Sequence, residues 1–281
     1  MKASLKEELL KAKQGKYAVP AFNFDNLEMM KGIIEAAEEE KSPVILMVTE
    51  SAAKYMGIDY VFSFALTATK NAKVPVVLHW DHGFDIALIK KAIDAGFSSV
   101  MLDSSLKEFN ENVAETIEIV KYAKTKGVEV ESEIGHVGGK EDDRVSNSNG
   151  YTDVNEAIEF DKQTQIDALA VAIGTSHGLF KGEIKLQFEL LEELNSKIST
   201  PLVLHGSSQV PLEDLQKAIS LGITKINIGT DLKMACAKGL QDWFNQNPDG
   251  FDARQYGRHA INFVKQEAKI KIKAFGSNNK A

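Results

Sequence analysis

Apolar residues along the chain fall into short continuous runs, separated by longer stretches in which apolar and polar positions recur at helical spacing. We predict eight β-strands from the runs, at Ala18–Phe22, Val44–Val48, Val74–Leu78, Ser99–Leu102, Val128–Glu133, Ala168–Ile173, Leu202–His205 and Lys225–Ile228. Most of these runs are largely apolar, which is typical of strands buried on both faces of a parallel sheet, whereas Val128–Glu133 alternates apolar and polar residues.

The stretches between the strands predict helices, among them Asn26–Glu39, Ile86–Ala95 and Leu212–Leu221. Two of these helices are followed by a glycine, Gly96 or Gly222, which is the usual left-handed stop before a returning strand. Because eight strands alternate with helices, we expect a closed (β/α)8 TIM barrel, with an open doubly wound sheet as the alternative.

The segments outside the predicted barrel strands and helices give no sign of a second domain. Tyr256–Phe275 predicts an added C-terminal helix, followed by "GSNNKA", which we expect to be a frayed tail. The polar, aperiodic stretch "GGKEDDRVSNSNGY" (138–151) predicts a mobile loop. Since no linker or repeat divides the chain, we expect one domain over residues 1–281.

Composition excludes several classes of protein. The chain has 281 residues, of which 43% are hydrophobic and 26% charged, with a net charge of -7 that disfavours nucleic acid as a partner. No apolar stretch approaches the roughly 20 residues that cross a bilayer, and the N-terminus lacks a signal-peptide pattern. The single cysteine, Cys236, excludes an internal disulfide framework. We therefore expect a cytoplasmic protein without membrane contact.

Titratable residues gather where the predicted strands end, which is where (β/α)8 barrels carry their active sites. His82, His177 and His205 follow three different strands, and three neutral imidazoles that leave an open position are typical of catalytic zinc. The alternative is three separate hydrogen-bonded core histidines. Asp103 and Glu133 end two further strands, either as ligands of a second or alternative metal position or as hydrogen-bond partners of the ligand histidines.

The segment "HWDHG" (79–83) concentrates this chemistry. Strand alternation places His79 and Asp81 on one face and predicts His82 just beyond the strand end. If Asp81 points into the site, His79 lies one layer deeper, where a packed and hydrogen-bonded histidine is expected. Asp85 begins the next helix and is expected to bond its N-terminal amides. Asp81 and His82 are thus the candidates for direct chemistry.

Two glycine-containing segments follow the last two strands, "HGSS" (205–208) and "NIGT" (227–230). Glycine and small hydroxyl residues expose backbone amides, and many barrels bind a phosphate after strands seven and eight in this way. The sequence therefore predicts a phosphorylated small-molecule substrate.

Six motifs along the chain resemble those of a known family. "LHWDHG", "SVMLDSS", "VEVESEIGHVGGKEDD", "AVAIGTSHG", "PLVLHGSS" and "KINIGTD" are similar, in this order, to segments of the class II, metal-dependent ketose-bisphosphate aldolases. The resemblance runs from "YAVPAFNFDNLE" to the "FGSNNKA" tail and thus covers essentially the whole chain. It implies a (β/α)8 barrel that cleaves a sugar bisphosphate with the help of Zn²⁺.

The resemblance also implies roles for individual residues. His82, His177 and His205 match the zinc ligands, and Asp103 and Glu133 match residues of an alternative metal position. Asp81 matches the acid/base that handles the proton of the C4 hydroxyl, and Glu141 matches the group that exchanges a proton on dihydroxyacetone phosphate. Positions matching the substrate site are Asn23, Thr49, Gly178, Lys181, Gly206, Ser207, Ser208, Asn227, Ile228, Gly229 and Thr230. For Lys181, a solvent-exposed lysine is the alternative.

Three positions depart from the family pattern. Gln209 stands where a glycine or another small residue is common, Trp80 replaces an aliphatic residue, and Gly229 stands where relatives often carry asparagine, aspartate or alanine. We expect Trp80 to face away from the site and pack between helices. Gln209 leaves the details of phosphate binding open, and Gly229 leaves the substrate subtype open.

The residue types agree with aldol cleavage. Breaking a C–C bond beside a ketone leaves a carbanion, which a Lewis-acidic metal stabilises, and separate groups must handle two protons. A Schiff-base mechanism would need a lysine near the active-site end of a strand, whereas Lys225 stands at the start of the eighth run.

We expect fructose 1,6-bisphosphate as the substrate, with tagatose 1,6-bisphosphate or a related ketose phosphate as the alternative. A metal-dependent isomerase or epimerase and a non-catalytic binding protein are the rivals. By analogy with the family we expect a homodimer or homotetramer.

Overall fold

The structure is a computed structural model that describes residues 2–141, 144–146, 150–179 and 184–281, with the backbone alone described at Glu141 and at 144–146. The strands are β1 (Val19–Asn23), β2 (Val44–Thr49), β3 (Val76–Gly83), β4 (Ser99–Leu102), β5 (Glu129–Ile134), β6 (Gly139–Glu141), β7 (Arg144–Ser146), β8 (Ala168–Val171), β9 (Leu202–Leu204) and β10 (Ile223–Ile228).

Eight of these strands form a closed parallel barrel in the order β1-β10-β9-β8-β5-β4-β3-β2. All eight predicted strands are therefore confirmed, with ends that differ by a few residues, and the predicted (β/α)8 architecture is confirmed with them. The largest difference is in β3, which continues to Gly83. His82 thus lies within the strand and not beyond its end, which corrects the expectation from the sequence.

Helices surround the barrel and connect its strands. They are α1 (Leu5–Gly15), α2 (Leu27–Glu40), α3 (Glu50–Met56), α4 (Ile58–Asn71), α5 (Ile86–Ala95), α6 (Phe109–Lys124), α7 (Val154–Thr164), α8 (Phe188–Lys197), α9 (Leu212–Ser220), α10 (Thr230–Gln246) and α11 (Ala253–Ala274). The predicted C-terminal helix is confirmed as α11, which packs against α10 and α2. Asp85 caps α5, accepting hydrogen bonds from the amides of Ala87 and Leu88, as expected.

The core has two layers because strand side chains alternate between the barrel interior and the surrounding helices. The outer layer lies between strands and helices and includes Trp80, whose ring makes edge contacts with Phe62 and Phe97. The inner layer combines inward strand residues with Leu5 and Leu9 of α1. Helix α1 therefore closes the N-terminal end of the barrel, which leaves the other end for the site.

Two expectations about irregular segments were wrong. The stretch predicted as a loop contains the antiparallel pair β6–β7, with Gly139 opposite Ser146. The tail predicted to fray is docked, since the amide of Asn279 donates to Glu40 and the hydroxyl of Ser277 bonds Ser42 inside the protein. The tail is held by contacts with residues distant in sequence, which local composition does not report.

Within the residues that the structure describes, no helix is both long enough and apolar enough to cross a membrane.

Candidate active site

Strand β3 brings two adjacent functional side chains to the open end of the barrel. Asp81 is fully buried and His82 is 3% exposed. Successive residues of a regular strand point to opposite faces, but His82 has φ +42°, and the pairing of β3 with β4 shifts between Trp80 and Gly83. A left-handed conformation is uncommon for a residue other than glycine and marks local strain. This irregularity turns the imidazole of His82 toward the other histidines.

Three histidines from separate strands meet at this end of the barrel. One ligand atom from each of His82, His177 and His205 lies within 4.8 Å of the others. Their ring centroids are 5.0 Å apart for the pair His82–His177, 4.6 Å for His82–His205 and 6.0 Å for His177–His205. His205 is fully buried, whereas His177 keeps part of its surface exposed. The three imidazoles predicted to converge are therefore close enough to share one ion.

Hydrogen bonds from the far side of two rings fix which nitrogens face each other. His82 Nδ1 is 2.9 Å from Asp103 Oδ2, and His205 Nε2 is 2.8 Å from Glu131 Oε1. A carboxylate only accepts hydrogen bonds, so both of these ring nitrogens donate. When both rings are neutral, the remaining nitrogens, His82 Nε2 and His205 Nδ1, carry lone pairs, and these two atoms lie 2.7 Å apart. Two facing lone pairs repel unless a proton or a metal cation lies between them, so the pair can serve as two ligands of one metal ion.

The environment favours the neutral, metal-binding form of His177 and His205. Burial lowers the pKa of His177 and that of His205 well below the ordinary value of 6.5, and a positive charge on the neighbouring His82, when that ring is protonated, lowers both further. Protons therefore compete weakly with a metal for these nitrogens near neutral pH.

Asp103 and Glu133 lie on the other side of His82, and the three offer a second group of ligand atoms within 4.8 Å of one another. Burial alone would raise the pKa of Asp103, but the hydrogen bond from His82 and those from Ser105 outweigh burial and lower it well below its usual range. Glu133 accepts a bond of 2.9 Å from the amide of Val137. Asp103 thus orients His82 and also offers a ligand atom at the second group of metal-binding side chains. The two roles that the sequence left open, metal ligand and hydrogen-bond partner of a ligand histidine, are therefore compatible.

Asp81 is held by two side-chain amides. Asn23 Nδ2 donates to Asp81 Oδ2 at 2.8 Å, and Asn227 Nδ2 donates to Asp81 Oδ1 at 3.3 Å. Because each carboxylate oxygen has its own donor, the group has a fixed orientation beside the histidines. His79 lies one layer below, fully buried, with Nδ1 at 2.7 Å from Ser99 Oγ, as the alternation in the sequence predicts.

A cleft opens beside the histidines at the ends of β9 and β10. The described residues that line it are Asn23, Thr49, Lys140, His177, Gly178, Gly206, Ser207, Ser208, Asn227, Gly229, Thr230 and Lys233. Gly206 has φ +60°, and a Cβ there would approach the backbone carbon of Ser176 to 2.7 Å. A larger residue would therefore distort the loop, which leaves its backbone close to any ligand in the cleft.

The unusual Gln209 does not crowd this cleft. The side chain of Gln209 is exposed, and its backbone amide donates a hydrogen bond to Asp231 Oδ2 at 3.3 Å. Ser208 Oγ accepts a bond of 3.3 Å from the amide of Asp231. Asp231 in turn forms an ion pair of 2.6 Å with the buried Lys271. These contacts tie the loop after β9 to the start of α10.

Three predicted site residues stand apart from the others. The side chain of Ile228 is fully buried in the outer core and is absent from the described lining of the cleft, which corrects the predicted substrate contact for that side chain. Lys181 lies outside the described residues. Glu141 ends β6, and its side chain also lies outside the described part of the chain.

The backbone places Glu141 near the histidines all the same. The amide of His177 donates to the carbonyl of Gly138 at 2.8 Å, and the amide of Lys140 donates to the carbonyl of His177 at 3.1 Å. The β6–β7 pair is thus bonded directly to the segment that carries a candidate ligand.

Sequence reasoning missed a buried ion network beneath the site. Glu131 and Lys225 are fully buried, and the ammonium of Lys225 lies 2.8 Å from Glu131 Oε2. Glu131 also accepts the bond from His205 described above. The available signal was the alternation in "VEVESE", which puts Glu131 and Glu133 on the same face of one buried strand. Sequence reasoning also missed Lys140 and Lys233, which line the cleft. A lysine near the end of a strand usually extends into solvent, so neither residue stood out in the sequence.

Comparisons with known proteins agree with this geometry. The family model for fructose-bisphosphate aldolase class-II matches residues 3–280. Proteins named fructose-bisphosphate aldolase in Staphylococcus aureus and Geobacillus stearothermophilus are each 46% identical over 281 residues, covering 99% of this chain and 98% of theirs. The crystal structure of the YdjI aldolase from Escherichia coli K12 is similar with a TM-score of 0.89 and 37% identity, over 100% of both chains. The chain therefore belongs to the class II fructose-bisphosphate aldolases, a family of lyases.

Proposed function

We propose that this protein reversibly cleaves fructose 1,6-bisphosphate to dihydroxyacetone phosphate and glyceraldehyde 3-phosphate. The observation that carries the proposal is the convergence of His82, His177 and His205, beside Asp81 and at the edge of a cleft lined by loop backbone. The names of the relatives support fructose over tagatose bisphosphate.

The resident metal is proposed to be Zn²⁺, held by His82, His177 and His205, with Asp103 and Glu133 beside His82 as the alternative position. Nitrogen ligands from three histidines suit zinc. When bound, the ion acts as a Lewis acid that stabilises negative charge on the ketone oxygen of the substrate as the C–C bond breaks.

Asp81 is proposed to take the proton of the C4 hydroxyl during cleavage. Its two oxygens are oriented by Asn23 and Asn227, and it precedes His82 directly in the chain. A positioned acid or base of this kind contributes roughly 10²–10⁴-fold in rate. In the reverse direction the same carboxyl group returns the proton.

Glu141 is proposed to exchange the proton on the reacting carbon of dihydroxyacetone phosphate. The support is the family pattern together with the bonding of the β6–β7 pair to the backbone of His177. The residues proposed to bind the phosphate of this half of the substrate are Gly178, Gly206, Ser207, Ser208, Asn227, Gly229 and Thr230, with Lys181 as a further cation. Asn23 and Thr49 are proposed to contact the rest of the sugar.

The test is an aldolase assay on zinc-loaded protein with fructose and tagatose 1,6-bisphosphates in parallel, with detection of both trioses. We expect kcat/KM to be higher for fructose bisphosphate. A value at least tenfold higher for tagatose bisphosphate would reassign the substrate. Isomerised sugar without triose would instead establish an isomerase.

The remaining expectations also stay proposals. We propose a single functional domain over residues 1–281, in line with the family match over 3–280. We propose a homodimer or homotetramer that works in the cytoplasm, where the free and buried Cys236 stays reduced. Mass measurement in solution and cell fractionation test the last two points.

A further inference from the structure

We infer that His136 is a positioning residue for the metal site, and that it acts on the ligand His82 through a chain of side-chain hydrogen bonds. This inference rests on the proposed function, because it concerns how the proposed zinc ligands are held. His136 follows β5, three residues after Glu133, and the proposed mechanism gives it no role.

Three consecutive contacts connect His136 with His82. His136 Nδ1 lies 2.9 Å from Ser105 Oγ, and Ser105 Oγ lies 2.7 Å from Asp103 Oδ1. The other oxygen of this carboxylate, Asp103 Oδ2, lies 2.9 Å from His82 Nδ1. The four side chains therefore form one continuous chain that ends on a proposed metal ligand.

The carboxylate of Asp103 fixes the direction of every bond in this chain. A carboxylate only accepts hydrogen bonds, so the single proton of the Ser105 hydroxyl is directed to Asp103. The oxygen of Ser105 can then only accept from His136, which places a proton on His136 Nδ1. The other ring nitrogen, Nε2, is buried and has no hydrogen-bond partner among the residues that the structure describes, so a proton there would be left unsatisfied. The ring of His136 thus donates toward the metal site.

The bond from His136 restrains the group that orients His82. A serine hydroxyl rotates easily, but Ser105 is held in one orientation when its oxygen accepts from His136 and its proton binds Asp103. With Oδ1 fixed in this way, the carboxylate of Asp103 keeps Oδ2 directed at His82. Little water competes for these bonds, since the side chains of His136 and Asp103 are only 13% and 7% exposed.

The surrounding backbone holds His136 in place for this role. Its amide donates to the carbonyl of Gly150 at 2.9 Å, and its carbonyl accepts from the amide of Gly150 at 3.2 Å. The amide of the next residue, Val137, donates to Glu133 Oε1 at 2.9 Å, and His136 Nδ1 lies 3.8 Å from the same oxygen. The N–H of the ring therefore lies near Glu133 as well as Ser105, and both neighbours favour the proton on Nδ1. A donor fixed in this way pre-organises the ligands that it supports.

The experiment is a double-mutant cycle on zinc affinity, with His136→Leu, Ser105→Ala and the double variant. Leucine keeps most of the volume of the ring but cannot donate a hydrogen bond. Zinc affinity is measured by competition with a chromophoric chelator, and Co²⁺ is bound in parallel because its visible absorption bands report the ligand geometry. These readouts do not depend on turnover.

Two further variants separate the hydrogen bond from a general effect of losing a histidine. His136→Asn is the rescue variant, because its side-chain N–H lies as many bonds from the backbone as Nδ1 of histidine. His259→Leu is the matched control, since it removes a ring that bonds Asp242 between α10 and α11. Urea unfolding of the metal-free proteins verifies that each variant folds, and His136→Gln replaces His136→Leu if the leucine variant does not.

We expect His136→Leu to weaken zinc binding by roughly threefold to tenfold, which is less than the loss of a partner bonded directly to a ligand histidine. The double variant should bind zinc about as well as Ser105→Ala alone, because without Ser105 the ring has no path to Asp103. The Co²⁺ bands should shift in His136→Leu and return in His136→Asn. His259→Leu should match the wild type in both measurements.

Two results would overturn the inference. Zinc affinity and Co²⁺ bands of His136→Leu that equal those of the wild type would show that the ring does not act on the metal site. Losses that add in the double variant would show that the ring does not act through Ser105. Failure of the proposed function looks different, since the zinc-loaded wild type would then release no trioses from fructose 1,6-bisphosphate.

Discussion

The carboxylate of Glu131 offers a sharp test of how the barrel interior prepares the histidines. We predict that Glu131→Gln weakens zinc binding, although the substitution replaces none of the proposed zinc ligands. Glutamine has nearly the same shape as glutamate but lacks its charge, so the substitution leaves the volume unchanged. It weakens the bond to His205 Nε2 and removes the partner of Lys225, both within 3.0 Å of the carboxylate.

Two effects of different size are expected. Loss of a partner that orients a ligand histidine typically lowers metal affinity about 10- to 100-fold, or about 1.4–2.8 kcal/mol. Leaving the ammonium of Lys225 buried without a counter-charge costs about 3–5 kcal/mol of stability. The double variant Glu131→Gln, Lys225→Met removes that buried charge, so it should recover much of the stability but not the zinc affinity.

Zinc affinity is measured by competition with a chromophoric chelator, and the free energy of unfolding by urea titration of the metal-free protein. Glu129→Gln, on the same strand near α1, is the control and should bind zinc like the wild type. If Glu131→Gln binds zinc as tightly as the wild type, the proposed orientation of His205 is wrong. If the double variant recovers zinc affinity along with stability, charge balance matters and the hydrogen bond does not.

Three further predictions concern the chemistry and the titration of the site. Asp81→Ala should lose bond cleavage but keep some proton exchange on dihydroxyacetone phosphate, whereas Glu141→Ala should lose that exchange first; identical exchange in the two variants would refute the division of roles. Chelators should abolish activity, and borohydride with substrate should not, since no imine forms; inactivation by borohydride would point to a catalytic lysine. Burial lowers the pKa values of His79, His177 and His205 well below 6.5, so below about pH 6.5 the unfolded chain takes up protons that the folded metal-free protein does not. The free energy of unfolding of the metal-free protein should therefore fall as the pH is lowered from 6.5 to 5, by up to about 1.4 kcal/mol per pH unit for each histidine. Urea denaturation at several pH values measures it, and a free energy of unfolding that stays constant over this range would contradict the prediction.

The sequence by itself determined the eight barrel strands and most of the residues that gather at the site. Strand formation follows from local apolar runs, and the (β/α)8 rule then assigns whatever follows each run to a common rim. His82, His177 and His205 could be grouped on this basis alone. The depth of His79 likewise followed from strand alternation, which needs no knowledge of neighbouring strands.

Only the tertiary structure decided which side chains pair with each other across the barrel. Glu131 on β5 and Lys225 on β10 are 94 positions apart, and their contact depends on the width and stagger of the closed sheet. The same holds for the left-handed turn at His82, which depends on how β3 meets β4, and for the docked tail at Ser277. Local patterns report where a side chain points, but they carry no information about its partner, because the partner comes from a distant part of the chain.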